Sequence, residues 1–316
     1  MTNYMLSIYI ATYNHENYIK KALDSVFQQK TQYSFEVLGG EDCSSDNTRL
    51  VLKNYEKEHP SYVNSGKLKV FYRKHNMNKE IPSNSDDLKA RCKGKYIIAL
   101  EGDDYWTDDL KIESQINFLE KHLNYIAVAH NCQIVDENGD KTQEEYPECR
   151  QEEYTISHYM SEILPGQLTT LMYRNIYKDK NIDCSLLKKG LSPGDRLISL
   201  VLLCNGNIYC IQKSMSAYRH VTAHGDSYSA TYRYKFKEDE QWNKAIVEYL
   251  KNQGSLMAKY GEVLYFRCIM KGIKSKQCTI KKAVTLIGCL DYKFYDLQKW
   301  IIYKWNKDIL HRKIWI

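Results

Sequence analysis

The first hundred residues of the chain alternate short apolar runs with amphipathic stretches. The apolar runs have the length of buried strands, and the stretches between them carry hydrophobic residues at helical spacing. This alternation is typical of βαβ units and predicts an α/β fold with a mostly parallel sheet flanked by helices. Ser45 or Asp46 is expected to cap the second helix, and Pro60 to end it. The predicted strands are residues 6–10, 35–39, 68–72 and 96–100, and the predicted helices are residues 18–28 and 47–59.

The pattern is less regular beyond residue 105. An amphipathic helix is predicted from residue 109 to about residue 122, followed by a fifth strand at residues 126–130. The pair Asn138-Gly139 favours a hairpin turn. Further along, the pattern predicts a buried helix at residues 194–204, a loop at residues 219–230 and helices from Glu240 onward.

Polar residues cluster where three of the predicted strands end. In open α/β sheets the carboxyl ends of parallel strands share one edge, and ligands bind there. We therefore expect these clusters to lie close together and to form a site. Helix capping is the alternative for part of them, including Asn14. The clusters are Thr12-Tyr13-Asn14, Glu41-Asp42 and Glu101-Gly102-Asp103-Asp104.

The adjacent carboxylates Asp103 and Asp104 indicate a divalent metal site. Two neighbouring acids repel each other unless a cation or hydrogen bonds offset their charges. Mg²⁺ and Mn²⁺ prefer oxygen ligands and bind through few protein carboxylates together with substrate phosphates. A bare Asp-Asp pair would indicate a solvated acidic turn. Here an apolar strand precedes the pair and Tyr105 and Trp106 follow it, which favours the metal site.

Together these motifs resemble those of the inverting glycosyltransferases of family 2, which have the GT-A fold. The resemblance rests on the order and spacing of several motifs and covers roughly residues 5–230. Glu41 and Cys43 stand where many members have Asp and Gly, which is a recognisable variant of the second motif. The matching segments are Thr12-Tyr13-Asn14, residues 40–48, residues 93–97 leading into residues 101–106, Pro193-Gly194-Asp195, Tyr218-Arg219 and residues 224–227.

The resemblance implies a nucleotide-sugar site at the first two motifs. Thr12, Tyr13 and Asn14 would line the nucleotide pocket, and Asp42 would contact the uracil base of a UDP-sugar. The Q-x-x-R-W motif of processive polysaccharide synthases is absent from the sequence, which favours a single transfer. The G-G-x-G-T opening of sugar nucleotidyltransferases is absent as well.

The resemblance also implies roles at the centre of the reaction. Asp103 would contact the ribose or the metal, and Asp104 would be a direct ligand of Mn²⁺ or Mg²⁺. Asp195, at the start of a predicted helix, would be the general base, and His224 would be a second metal or phosphate contact. The alternatives are an N-cap role for Asp195 and an ordinary surface position for His224.

The chemistry of glycosyl transfer uses these parts. A divalent ion stabilises the negative charge that develops on the nucleoside diphosphate leaving group. A carboxylate within hydrogen-bond reach takes the proton of the attacking acceptor hydroxyl. A single in-line displacement inverts the anomeric centre, so no covalent sugar–enzyme intermediate is needed. Cys43 is expected to be a packed thiol and not a nucleophile, because nothing near it in the sequence would activate a thiolate.

Charge and cysteine usage add an expectation about location. The net charge of the chain is +6, yet the residues from Glu240 onward carry 15 Lys and Arg against 6 Asp and Glu. The basic character therefore belongs to the tail. The ten cysteines include no C-x-x-C pair, and no signal peptide is apparent at the first residues. These features favour the cytoplasm, with the inner face of the cell membrane as a further place of residence.

The end of the tail combines tryptophan with basic residues. Trp300, Trp305 and Trp315 stand among six Lys and Arg residues between Tyr292 and Ile316. Interfacial aromatic and basic side chains are typical of a helix that lies on an anionic membrane surface. The alternative is a helix that packs its apolar stripe against the catalytic domain. Nucleic acid is a poorer partner, since no recognised binding motif accompanies the charge.

The sequence thus predicts two regions and one activity. Residues 1–235 would form a GT-A catalytic domain, with a nucleotide-binding half at residues 1–105 and an acceptor-side half at residues 106–235. Residues 236–316 would form a basic helical extension. The expected enzyme is a hexosyltransferase-type glycosyltransferase that acts on a saccharide or lipid-linked acceptor in bacterial surface polysaccharide or glycolipid synthesis. The alternatives are a non-catalytic sugar-nucleotide-binding or scaffold protein and a sugar nucleotidyltransferase.

Overall fold

The computed structural model describes most of the 316-residue chain: residues 4–78, 80–144, 146, 151–161, 164–191, 194–220 and 233–291. The described residues form two compact units. The first lies within residues 4–159 and 164–220, and the second comprises Met160, Ser161 and residues 233–291. His224 and the tail beyond residue 291 lie outside the described residues.

The first unit combines a mixed sheet with flanking helices. Its strands are β1 (Leu6–Thr12), β2 (Phe35–Glu41), β3 (Leu68–Tyr72), β4 (Tyr96–Glu101), β5 (Tyr105–Trp106), β6 (Tyr125–Val135), β7 (Glu153–Tyr154), β8 (Met172–Arg174) and β9 (Asn207–Arg219). The helices that accompany them are α1 (Ile19–Phe27), α2 (Thr48–Glu58), α3 (Pro60–Asn64), α4 (Asn84–Arg91), α5 (Lys111–Lys121), α6 (Ile156–Met160) and α7 (Gly194–Leu203). In the described part of the sheet the strand order is β3-β2-β1-β4-β8-β6-β9-β5, and β7 pairs with β9.

Strands β3, β2, β1 and β4 run parallel and form the half of the sheet that the sequence predicts. In register, Thr12 lies opposite Glu41, and Ala11 lies opposite both Gly40 and Glu101. The three polar clusters therefore meet at the carboxyl edge of the sheet, as parallel pairing requires. Each of the four predicted strands lies within an observed one, and the predicted α/β fold class is confirmed.

The core of this half explains why the chain folds as it does. Leu6, Ile8 and Ile10 alternate along β1 and are fully buried, together with Leu23 from α1 and Ile116 from α5. Burying each such side chain contributes about 1.5–3 kcal/mol to stability. The strand is covered on both faces by helices, so it carries an almost continuous apolar run.

The other half of the sheet is mixed and is largely missed by the sequence pattern. The fifth predicted strand lies within β6, which continues to Val135. Strand β8 inserts between β4 and β6 and is antiparallel to both. Strand β9, the longest one described, runs parallel to β6 and antiparallel to β5. The predicted loop at residues 219–230 begins at the last residue of β9.

The pairing of β9 with β6 is interrupted by a bulge. His130 pairs with Ile211, and Cys132 pairs with Ser216. Strand β6 thus advances two residues while β9 advances five. Residues 212–214 are exposed at this interruption, as is common where extra residues leave the ladder.

Two local turn predictions have different outcomes. The hairpin at Asn138-Gly139 is confirmed, because Val135 and Lys141 form an antiparallel bridge across it. Helix α2 ends at Glu58, before Pro60, as predicted, but only His59 is non-helical before the next helix begins. Pro60 instead begins α3, since proline is tolerated where a first-turn N–H needs no partner.

The second unit consists of helices α8 (Phe236–Lys251), α9 (Ser255–Lys274) and α10 (Ile280–Gly288). Its core contains Phe236, Phe266 and Ile269. Glu240 on α8 accepts ion pairs from Lys244 and from Lys282 on α10, at 2.7 and 2.6 Å. Within the described ranges, none of the helices has both the length and the apolar composition that a bilayer span requires.

Candidate active site

Asn14 ties the loop after β1 to the loop after β2. Its backbone is left-handed, with φ of 56°, a conformation that Asn tolerates better than most residues. Its Oδ1 accepts hydrogen bonds from the backbone N–H of Ser45 at 2.9 Å and from the Ser45 hydroxyl at 3.2 Å. Helix α1 begins at Ile19 and follows Tyr18, so Asn14 does not cap it. The capping alternative for Asn14 is therefore wrong.

The carboxylate of Asp42 is fixed at the start of the loop after β2. Its backbone N–H donates to the Thr12 carbonyl oxygen at 3.0 Å, and its Oδ1 accepts the backbone N–H of Met77 at 2.8 Å. Burial raises the pKa of Asp42. Its Oδ2 accepts no hydrogen bond from the residues that the structure describes, so it can accept one from a ligand.

Glu41 has a structural role beside Asp42. Its side chain is fully buried, and its Oε2 lies 2.5 Å from the Arg49 guanidinium. Its Oε1 accepts the backbone N–H of Ser44 at 2.5 Å. Arg49 in turn donates to the carbonyl oxygen of Arg73 at 2.6 Å. The departure from Asp at this position is therefore accompanied by an internal ion pair that secures the second motif.

Glu101, Asp103 and Asp104 form an acidic cluster at the end of β4. One carboxylate oxygen from each lies within 4.8 Å of the others, and no other such group occurs among the described residues. The Asp103 side chain is 27% exposed and lies 3.8 Å from His15 Nε2. Glu101 is exposed by surface area, but desolvation of its carboxylate, together with the charges of Asp103 and Asp195, raises its pKa. A cation among these carboxylates would offset their mutual repulsion.

Asp104 is held more tightly than its two neighbours. It is 1% exposed, and both of its oxygens accept hydrogen bonds. The backbone N–H of Arg219 donates to Oδ1 at 2.8 Å, and Gln167 Nε2 donates to Oδ2 at 3.0 Å. Burial, followed by the charges of Asp103 and Glu101, raises the pKa of Asp104 well above its usual range. The more open oxygens of the cluster therefore belong to Asp103 and Glu101.

Arg219 links the end of β9 to the acidic cluster. Its Nε donates to the Asp103 carbonyl oxygen at 3.0 Å, and its guanidinium also donates to the carbonyl oxygens of Asp136 and Glu137. The same guanidinium lies over the ring of Tyr18, 4.2 Å from its centroid. These contacts fix the backbone of the turn that carries Asp103 and Asp104.

Asp195 lies in the first turn of α7 and is largely shielded from solvent. Its Oδ1 accepts the backbone N–H of Arg196 at 2.8 Å. Burial raises the pKa of Asp195. Its negative charge contributes to the raised pKa of Glu101, so the two carboxylates interact electrostatically. A carboxylate in the first turn of a helix is favoured by the helix dipole, and the raised pKa of Asp195 would also suit a general base.

Comparison with known proteins agrees with this arrangement. The model of the family described as "Glycosyl transferase family 2" matches residues 7–182. This chain belongs to glycosyl transferase family 2. Three of the predicted motifs lie inside the matched residues, whereas Asp195 lies beyond them.

The family 2 relatives include proteins of several bacteria. An uncharacterised protein of Mycobacterium tuberculosis (strain H37Rv) is 28% identical over 234 residues, which is 74% of this chain and 64% of that protein. The putative teichuronic acid biosynthesis glycosyltransferase TuaG of Bacillus subtilis is 31% identical over 121 residues, which is 38% of this chain and 44% of TuaG. The chain thus spans less than two thirds of the length of either relative.

A solved structure shares the fold. Staphylococcus aureus TarS (residues 1–349), crystallised in complex with UDP-GlcNAc, superposes with a TM-score of 0.62 at 17% sequence identity. The match covers 90% of this chain and 78% of that chain. The GT-A fold expected from the sequence is therefore confirmed.

The predicted site residues of this family 2 member divide into two groups. Thr12, Tyr13 and Asn14, with Asp42, Asp103 and Asp104, lie on the carboxyl edge of the parallel strands. Asp195 lies in the first turn of α7, and His224 lies outside the described residues.

The sequence did not predict that two further residues would hold the acidic cluster in place. The segments around Gln167 and Arg219 are visible in the sequence, but nothing there indicates that each donates a hydrogen bond to Asp104. Such contacts join strands and turns far apart in the chain. They could not be found from local patterns.

Proposed function

We propose that this family 2 protein transfers a sugar from a nucleotide-sugar, most simply a UDP-sugar, to the hydroxyl of an acceptor. The observation that carries the proposal is that Asp42 and the Glu101–Asp103–Asp104 cluster meet at one edge of the parallel strands. That edge is where open α/β sheets bind nucleotides.

The donor base would be recognised at Asp42. Its Oδ2 has no partner among the described residues and can accept the N3–H of uracil, while Met77 holds Oδ1. Thr12, Tyr13 and Asn14 would line the adjoining pocket, because they follow β1 directly beside Asp42. That TarS, which shares the fold, was crystallised with UDP-GlcNAc supports a uridine nucleotide.

The acidic cluster fits Mn²⁺ or Mg²⁺. Its donors are hard carboxylate oxygens, which these ions prefer. Burial, and after it the charges of neighbouring carboxylates, raise the pKa of Glu101 and of Asp104, and a cation would offset that repulsion. Asp103 and Glu101 are better placed as ligands than Asp104 because their side chains are more open. Asp104 would contribute a remaining lone pair of an oxygen that Gln167 or Arg219 already contacts. A bound divalent ion would stabilise the diphosphate leaving group. His224 remains a candidate for a second contact to the metal or the phosphates.

Asp195 would act as the general base. As the acceptor oxygen forms its bond to the anomeric carbon, the bond to the diphosphate breaks and the hydroxyl proton passes to Asp195. One displacement inverts the anomeric centre. Burial supports this role, since the raised pKa makes the carboxylate a stronger base than an exposed Asp.

The biological setting is proposed on other grounds. TuaG is named for teichuronic acid biosynthesis, which supports a role in bacterial surface polysaccharide or glycolipid synthesis. A saccharide or lipid-linked saccharide acceptor would fit that role. The basic, tryptophan-containing tail would bring the protein to the inner face of the cell membrane.

The test is nucleoside diphosphate release from a panel of UDP-, GDP-, CDP- and dTDP-sugars, with Mn²⁺ and with chelator. Release from one donor that needs metal, and that is lost in Asp103→Asn, would establish the class and name the donor. If no donor is turned over, UDP binding is measured by calorimetry with Mn²⁺. Absence of metal-dependent UDP binding would refute the proposal.

Two controls separate the alternatives. Asp195→Asn should bind UDP with unchanged affinity yet transfer no sugar. If the wild type also binds donor without any turnover, a non-catalytic binding or scaffold role is favoured. Pyrophosphate release from UTP and a sugar phosphate would instead indicate a nucleotidyltransferase.

A further inference from the structure

The end of β9 presents an aromatic surface on the side opposite Arg219. Alternate residues of a strand point to opposite faces, so Tyr218 and His220 share one face while Arg219 occupies the other. Arg219 uses its face to contact Tyr18 and the acidic turn. The face of Tyr218 and His220 is therefore separated from that contact by the strand itself.

Three rings form a corner on this face. The rings of Tyr218 and His220 are inclined by only 23°, with centroids 5.9 Å apart, and make a platform. The ring of Tyr146 stands at 83° to that of Tyr218, with centroids 5.8 Å apart, and makes a wall. Glu144 fixes the platform, because its Oε2 lies 2.6 Å from His220 Nδ1. All three rings remain partly exposed.

The corner lies beside the acidic cluster, and Tyr146 interacts electrostatically with the proposed base. Burial raises the pKa of the Tyr146 phenol, and the charge of Asp195 raises it further. Cys132, Tyr218 and Glu101 add to the same effect. The platform is joined to the acidic cluster by geometry, because Tyr218 and His220 flank Arg219, whose backbone N–H donates to Asp104 Oδ1 at 2.8 Å. The residues proposed for the nucleotide follow β1 and β2, whereas β9 lies beyond β4, β8 and β6 in the sheet order. The corner is therefore separated in the sheet from the residues proposed for the nucleotide base, and it lies beside the acidic cluster.

We propose that Tyr146, Tyr218 and His220 form the acceptor subsite, and that it receives a pyranose ring. The inference rests on the proposed glycosyl transfer. A pyranose has one face lined by axial C–H groups, which suits an aromatic platform, and hydroxyls at its edge, which suit phenol and carboxylate acceptors such as Tyr146 and Glu144. A sugar seated here would present a hydroxyl toward Asp195.

The test is saturation-transfer NMR with three probes: methyl β-glucopyranoside, methyl β-galactopyranoside and methyl N-acetyl-β-glucosaminide. Each is added to the full chain with UDP and Mg²⁺. Irradiation of aromatic protons should transfer saturation to the C–H protons of one pyranose face of at least one probe. Tyr146→Leu and Tyr218→Leu should weaken binding of that probe roughly ten-fold, whereas Tyr146→Phe and Tyr218→Phe should retain the one-sided transfer.

Binding of UDP separates the possible failures. If the wild type binds UDP but no probe receives saturation from aromatic protons, or if both Leu variants bind the probe like the wild type, the subsite is refuted and the proposed transfer stands. If the wild type does not bind UDP, the proposed function fails and the subsite with it. A Leu variant that misfolds would also lose UDP binding and would then give no information about the subsite. In that case the subsite is tested by two results alone: saturation transfer to one pyranose face in the wild type, and retention of that transfer in the Phe variants.

Discussion

Gln167 and the backbone of Arg219 hold the buried Asp104 carboxylate from two sides. A buried acceptor whose donor is removed keeps its desolvation cost, which typically amounts to about 1–3 kcal/mol. Gln167 is itself fixed, because its Oε1 accepts the N–H and hydroxyl of Thr169. Precise placement of one carboxylate thus depends on a side chain that touches neither nucleotide nor acceptor in the proposed reaction.

Replacement of Gln167 tests this support. In Gln167→Ala the Asp104 Oδ2 loses its donor at 3.0 Å, so the free energy of unfolding should fall by about 1–3 kcal/mol. Urea denaturation measures the change. The surface variant Gln212→Ala, at an exposed position of β9, is the control and should stay within about 0.5 kcal/mol of the wild type. Equal effects of the two variants would contradict the assigned role.

The pH dependence of transfer tests Asp195. Burial raises its pKa, and a general base works only when deprotonated. Activity should therefore be full above the raised pKa and fall about ten-fold per pH unit below it, starting at higher pH than an exposed Asp would give. The measurement is kcat/KM against pH, with UDP affinity followed in parallel. A profile that stays flat down to the ordinary range of an Asp carboxyl would exclude this base.

At the scale of elements, α9 packs against α8 at a glycine. A Cβ added at Gly272 would lie 2.4 and 2.6 Å from ring atoms of Phe236 and 2.9 Å from Cys278 Cβ. Alanine favours a helix over glycine by about 1 kcal/mol, but overpacking a core costs about 1–3 kcal/mol. Because the added Cβ would lie only 2.4 Å from an atom of a buried ring, we expect the cost of overpacking to exceed the gain in helix propensity.

Two glycine variants test this packing. Gly272→Ala should lower the unfolding free energy by about 1–2 kcal/mol, since the clash outweighs the gain in helix propensity. The matched control is Gly288→Ala, at the end of α10, where an added Cβ meets nothing within 4 Å. This control should be neutral or stabilising by up to about 1 kcal/mol. A stabilised Gly272→Ala would mean that the two helices can separate without cost.

The elements also show why sequence reasoning succeeded in one half of the sheet. Strands β1, β2 and β4 are almost entirely buried, and β3 begins with the buried Leu68. Turns, loops and helices separate the four strands, so their apolar runs are visible locally. Strand β9 mixes Gln212, Lys213 and Ser214 into its middle, and β5 and β8 are too short to give a pattern. Their pairing is set by tertiary contacts that no local window contains.

At the scale of the whole molecule, the candidate site could be predicted only where it depends on local sequence patterns. Asp42, Asp103 and Asp104 could be found because they directly follow predictable strands. The corner of Tyr146, Tyr218 and His220 could not, because it depends on where β9 meets the segment before residue 147. Local chemistry is thus readable from the sequence, whereas contacts between distant segments require the fold.

The charge distribution of the whole chain leads to a prediction about membranes. The residues from Glu240 onward carry 15 Lys and Arg against 6 Asp and Glu, and Trp300 and Trp305 would anchor the tail at an interface. The full chain should sediment with vesicles containing phosphatidylglycerol, and binding should weaken as salt is raised. Deletion of residues 292–316 should abolish sedimentation. Equal binding to neutral vesicles would argue against electrostatic attachment, and no binding would favour packing of the tail on the catalytic domain.

The bulge in β9 has a consequence for how this chain tolerates changes in length. Before the bulge, odd-numbered residues of β6 pair with even-numbered residues of β9, as Ala129 does with Cys210; after it they pair with odd-numbered residues, as Gln133 does with Ala217. The three extra residues of β9 thus reverse the parity of the strand, which sends Arg219 inward and Tyr218 outward. Loss of one residue from positions 212–214 would exchange those two side chains, whereas loss of two would preserve them. Relatives of this chain should therefore differ here by even numbers of residues. An odd change would turn Arg219 away from the acidic cluster, whereas an even change would only shorten or lengthen the strand.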